Sequence, residues 1–194
     1  MEEIMLFPLG SVLMPEGKMK LRIFEPRYQR MVAQASKTDT GFGICLYDSS
    51  ADKKSNPLSH FGTWVKIVDF ETLGDGLLGI TVVGAKRFKI RSVRSEFDGL
   101  RMAKIDLLPS WPVRHMDENE AFLAHRLQKV YRDFPQLGEL YTHCFYDDAS
   151  WVTQRWLELM PLVNQQFDQI SQNNDCDKAL SYLLNAIESF GDGE

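Results

Sequence analysis

Apolar and polar residues alternate in short runs from Gly41 to about Pro109, and from there they recur at helical spacing to the end of the chain. "GFGICLYD" sets Phe42, Ile44 and Leu46 on one face of a strand. "GTWVKIVDFETL" sets Val65 and Ile67 opposite Trp64 and Lys66, and "GDG" at Gly74 to Gly76, just before "LLGITVVG", predicts a hairpin. "RFKIRSV" points Phe88 and Ile90 inward and Arg87, Lys89 and Arg91 outward, and "FDGL" turns into "RMAKIDLLP", where Ala103, Ile105 and Leu107 alternate with polar neighbours. Short strands joined by tight turns predict a closed or nearly closed antiparallel barrel. The polar, proline-broken stretch from Asp48 to Ser59 reads as a surface loop between two of its strands.

After "PSWP" the period becomes helical. Asp117 and Glu120 have capping-box spacing before a helix whose Leu123, Leu127, Val130, Tyr131 and Phe134 share a face, and Pro135 ends it. Asp148 caps a second helix through Trp151, Val152, Trp156 and Leu159, closed by Pro161; Asp175 caps a third through Leu180, Leu183, Leu184 and Ile187. The expectation is an α+β chain with a β-rich domain at residues 1–110 and a helical domain at 111–194.

In "LRIFEPRYQRMV" the period changes within the run. Leu21 and Ile23 alternate as on a strand, whereas Tyr28, Met31, Val32 and Ala35 follow one helix face. Pro26 suits a first helical turn, and Glu25 places negative charge at the positive end of the helix dipole. Arg27 can pair with Glu25 or reach a carbonyl elsewhere. A lone carboxylate and guanidinium form no nucleophile, base and orienter set, so Phe24, Glu25, Pro26, Arg27 and Tyr28 read as a structural corner.

Composition narrows the function. A net charge of -5 argues against a dedicated nucleic-acid binder, whose phosphate contacts need clustered cations. No apolar run reaches the ~20 residues of a membrane span, and an acidic beginning is unlike a secretory signal, so a cytoplasmic protein is expected. Cys45, Cys144 and Cys176 are far apart and read as reduced thiols. His60, His115, His125 and His143 show no metal-ligand spacing, and no phosphate loop, dinucleotide fingerprint or nucleophile elbow is present. No catalytic, metal or cofactor site is therefore assigned.

Four stretches carry a resemblance: "FPLGSVLMPEGKMKLRIFEPRYQRMV", followed by "FGICLY", then "GTWVKIVDFETLGDGLLGITVVGAKRFKI", and later "RWLELMPL". Together they resemble the Lon N-terminal, substrate-binding domain family over nearly the whole chain. The resemblance implies a PUA-like pseudo-barrel followed by a helical bundle, in a stand-alone protein without the ATPase and peptidase domains of Lon proteases. It also implies the engagement of unfolded or tagged proteins. "LMPEG" at Leu13 to Gly17 departs from the Phe-Pro-Gly turn common in such domains.

Two binding readings follow. In the first, Met14 and Met19 flank that turn and, being flexible and polarizable, form a surface that takes exposed apolar segments of other proteins, as in an adaptor or quality-control accessory. In the alternative, the outward row of Arg87, Lys89 and Arg91 on a PUA-like barrel grips RNA. An unrecognised hydrolase in a cleft between the two halves is a third, weaker reading. Oligomeric state is not set by the sequence.

Overall fold

The Gly-rich turn does what its residues dictate. Gly76 takes φ +82°, a left-handed conformation that glycine adopts without steric cost, and it joins β4 (Leu58–Thr72) to β5 (Leu78–Ser95). The two strands pair from Phe61↔Lys89 to Thr72↔Leu78. A second tight turn, with Gly99 at φ +83°, leads into β6 (Arg101–Leu107). The computed structural model describes residues 2–48 and 57–191, so most of the loop expected between Asp48 and Ser59 lies outside the described residues.

Two strands precede this group: β1 (Glu2–Leu9) and β2 (Lys18–Ile23). They are followed by α1 (Pro26–Thr38) and β3 (Phe42–Tyr47). The sheet order is β2-β5-β4-β3-β1-β6, and β6 returns to pair with β5. Five strands therefore form a closed ring of pairings. β2 lies outside the ring, on residues 78–83 of β5, while β6 takes residues 88–95 of that strand.

One expectation needs correction. The sheet is not purely antiparallel, because β1 runs parallel to β3 from Leu6↔Gly43 to Leu9↔Leu46. The intervening β2 and α1 supply the long crossover that parallel neighbours require. β1 was not foreseen as a strand, since "EEIMLFPL" buries Ile4, Met5, Leu6 and Phe7 in succession and shows no alternation.

The core has several parts. Met31, Val32 and Ala35 of α1 press on Leu21, Ile23, Phe42, Ile44, Val65 and Val82, as the helix-face spacing predicted. Ile4, Leu6, Cys45, Phe88, Ala103 and Ile105 fill a second part, so β3 is buried on both faces. Each fully buried side chain of this size contributes roughly 1.5–3 kcal/mol.

The helical half comprises α2 (Ala121–Asp133), the single turn α3 (Pro135–Gly138), α4 (Ala149–Leu159), α5 (Asn164–Ser171) and α6 (Asp177–Gly191). Asp148 caps α4 by accepting the Ser150 N–H at 2.9 Å, and Glu120 accepts the Asp117 N–H at 3.1 Å. Phe134 leaves the expected apolar face and is 51% exposed, because α2 stops before Pro135. The short α5 offers only Phe167 and Ile170 as buried apolar positions, too few to show a period. The halves share a core in which Met14, Leu46 and Phe61 meet Trp111, Leu157, Phe167 and Ile170.

Candidate functional site

The three residues of the basic row have different fates. Arg87 is 2% exposed, which corrects the outward placement read from strand alternation. Its guanidinium donates to the carbonyls of Pro109 (2.7 Å), Ser171 (3.2 Å) and Asn173 (3.0 Å), and it lies over the Trp111 ring. The helical half covers the strand face that was expected to be solvated. Lys89 sits over the Phe61 ring at 5.7 Å, and Arg91 pairs with Asp106. The three cations do not form a continuous strip.

The two methionines also part. Met14 is 1% exposed and belongs to the shared core, so it presents no surface. Met19 is half-buried and lines a groove of about 300 Å³ between the halves, together with Leu13, Tyr131, Leu137, Tyr141 and Glu158. The Tyr141 hydroxyl accepts the Lys18 N–H there at 3.0 Å.

Behind this groove the "LMPEG" turn is clamped from α4. Arg155, fully buried, donates to the Pro15 carbonyl at 2.6 Å and to Glu158 at 3.0 Å, while Glu158 accepts the Met14 N–H at 2.9 Å. Burial pushes the Glu158 carboxyl up to about 7, against the opposing pull of Arg155 and the Met14 N–H. Gly17 is needed for close approach, since a Cβ there would overlap the Glu158 carboxylate. The extra Glu16 is accommodated at φ +64°.

A second groove, of about 510 Å³, opens at the strand-to-helix corner. Pro26 occupies the first turn of α1 as expected, but Glu25 makes no side-chain cap and turns instead to Arg27, at 2.7 Å. Arg27 also donates to the Gly99 carbonyl at 3.2 Å, tying the corner to the β5–β6 turn, and stacks on Tyr28. Phe24 stands out at 60% exposure. Phe24, Glu25, Arg27 and Tyr28 all line the groove, so the corner is both a joint and a wall.

The rest of its lining comes from strands. Phe7, Pro8 and Leu9 of β1 form one side and Lys20, Leu21 and Arg22 of β2 another, with Tyr47 and Arg101 completing it. Successive strand residues point to opposite faces, so three in a row lining one groove means that strand edges border it. Arg101 lies over the Tyr47 ring at 5.7 Å, and its buried Nη1 has no hydrogen-bond partner among the described residues. It was not singled out in the sequence. A signal did exist, because Arg101 falls in phase with Ala103 and Ile105, a cation on the apolar side of a strand.

His60 is held by Asp168 at 2.7 Å, a tie between β4 and α5. Cys45 is buried, and burial pushes its thiol up to about 12, so it is not an activated nucleophile. Among the described residues no three His, Cys, Asp or Glu side chains come together as metal ligands. No described helix is long and apolar enough to cross a membrane.

The chain is thus a mixed α+β domain with a closed ring of strands, a helical half packed on it, one groove between the halves and another at the strand-to-helix corner. The family profile of the ATP-dependent protease La (LON) substrate-binding domain matches residues 3–192, and the chain belongs to that family. The crystal structure of a Lon N-terminal domain protein from Xanthomonas campestris is similar, with TM-score 0.73 and 29% identity over 95% of this chain and 98% of that one. The N-terminal domain of Mycobacterium avium complex Lon protease shares the fold, with TM-score 0.61 and 15% identity over 95% and 97% of the two chains. Among curated proteins, cereblon from Gallus gallus is 27% identical over 101 residues, 50% of this chain and 22% of that protein. Cereblon from Danio rerio is 29% identical over 104 residues, 52% and 24% respectively. The matched part thus spans about a quarter of the length of these curated relatives.

Proposed function

We propose that this chain is a non-catalytic protein-binding module, cytoplasmic, which holds exposed apolar segments of other polypeptides as an adaptor or quality-control accessory. The observation that carries this reading is the corner groove, where exposed Phe24 and Tyr47 and half-buried Leu9 and Tyr28 offer apolar contact beside the edges of β1 and β2. Membership of a substrate-binding family supports the same conclusion. The ring of pairings supports the finer description of residues 1–110 as a PUA-like pseudo-barrel, with a helical bundle at 111–194.

The test is fluorescence anisotropy with labelled, reduced and alkylated lysozyme as an unfolded probe. Saturable binding is expected, weakened about tenfold by Phe24→Asp, equivalent to roughly 1.4 kcal/mol. The melting temperature should not change, because Phe24 is exposed. Absence of saturable binding by the wild type, or unchanged affinity in a folded Phe24→Asp variant, would overturn the assignment.

A further inference from the structure

The corner groove has directional features that a merely apolar surface lacks. β2 pairs only with β5 among the described residues, which leaves its other edge without a strand partner. Main-chain groups along a strand turn to alternate sides with a period of two. The Lys18 N–H points away from β5, since it donates to Tyr141 of the helical half. The same period turns the N–H and C=O groups of Lys20 and Arg22 to the open edge, and both residues border the groove. Their side chains are drawn back across the sheet, Lys20 to Glu71 at 3.4 Å and Arg22 to Asp75. The opposite wall is less able to pair, because Pro8 has no N–H.

Charge adds a second constraint. Lys20, Arg22, Arg27 and Arg101 all line the groove, and its one carboxylate, Glu25, is taken by Arg27. Lys20, Arg22 and Arg27 each have an acidic partner, whereas Arg101 Nη1 has none among the described residues. Arg101 stands opposite Leu6, the last β1 residue to pair with β6, at the point where β1 runs on as Phe7, Pro8 and Leu9 without that partner. Although Nη1 itself is buried, the Arg101 side chain is partly exposed and lines the groove, so a carboxylate entering there can meet the rest of its guanidinium.

We infer that the groove takes an extended apolar peptide segment of another protein by strand addition to β2, with an acidic side chain of that segment anchored on Arg101. Main-chain hydrogen bonds to Lys20 and Arg22 supply affinity without regard to sequence, and the anchor supplies selection. The proposed occupant is an internal Asp or Glu, because a side-chain carboxylate can meet Arg101 whichever way the added strand runs. This rests on the protein-binding reading of the same groove and names its substrate class.

Three fluorescein-labelled, C-amidated peptides test it by anisotropy. One alternates valine and threonine around a central glutamate, the second has glutamine there, and the third is the glutamate peptide N-methylated at alternate amides. The glutamate peptide should bind about tenfold more tightly than the glutamine one. Arg101→Gln should abolish that preference, so that the glutamate and glutamine peptides bind it alike, and N-methylation should remove binding altogether. Equal binding of the first two peptides by the wild type would overturn the acidic anchor without recourse to any variant. Full binding of the methylated peptide would overturn strand addition. If either happens while unfolded lysozyme still binds, only this inference falls; if lysozyme fails as well, the protein-binding reading falls with it.

Discussion

The carboxylate of Glu158 accepts the main-chain N–H of Met14 across 144 residues of sequence, and with Arg155 it fastens the turn before β2 to the helical half. Arg155 is fully buried, and three of its contacts depend on the charge: Glu158, the Pro15 carbonyl and the Trp151 ring. Removing one member of a buried pair leaves the other uncompensated. Arg155→Ala should therefore lower the unfolding free energy by about 3–5 kcal/mol, measured by urea denaturation. An isothermal unfolding curve matching the wild type would show that the clamp is not a structural tie.

Glu158 should also make stability depend on pH. Its folded-state value, about 7, lies above the ordinary 4.5 of a glutamate, so between those values the folded state binds more protons than the unfolded one. Stability from this group then falls as pH rises through that window and stays lowered above it. The urea midpoint of the wild type, relative to that of Glu158→Gln, should drop between pH 5 and pH 8. A difference that stays flat over this range would contradict the raised value.

The Glu25–Arg27 pair calls for a smaller effect. Its side chains are 38% and 34% exposed, so solvent screening limits the ion pair itself, and the Gly99 carbonyl is the more consequential partner of Arg27. Arg27→Ala should cost about 1 kcal/mol, and a double-mutant cycle with Glu25→Ala should give a coupling of roughly 0.2–1 kcal/mol. Thermal melts of the four proteins decide it. A coupling near zero would mean that the two charges share the corner without supporting each other.

How far the sequence could be read depended on how local each feature is. The β4–β5 hairpin, the α1 face and the Asp148 cap are set within a few residues, and the periodicity and turn chemistry revealed them. Arg87 could not be placed that way. Its neighbours alternate as on a solvated strand, and only the packing of Ser171 and Asn173 over that face buries it. The corner groove was legible in part: Phe24 to Tyr28 stood out as a motif, but its far walls come from β1, β3 and β6, which sheet order alone brings alongside. The parallel pairing of β1 was hidden for the same reason.

The two methionines of the turn separate core from surface in one experiment. Met14 is 1% exposed against Leu46, Phe61 and Leu157, and its main chain is held by Glu158, so Met14→Ser removes buried apolar volume and leaves a hydroxyl among apolar neighbours. A loss of about 3 kcal/mol is expected, within the range for large-to-small core substitutions. Met19 is only half-buried and borders the groove of about 300 Å³ between the halves. Met19→Ser should cost less than about 1.5 kcal/mol, because little of its surface is withdrawn from water. Chemical denaturation of both single variants checks the order. If Met19→Ser proved the more damaging, the side chain would belong to the core, and the groove beside it would be packing rather than surface.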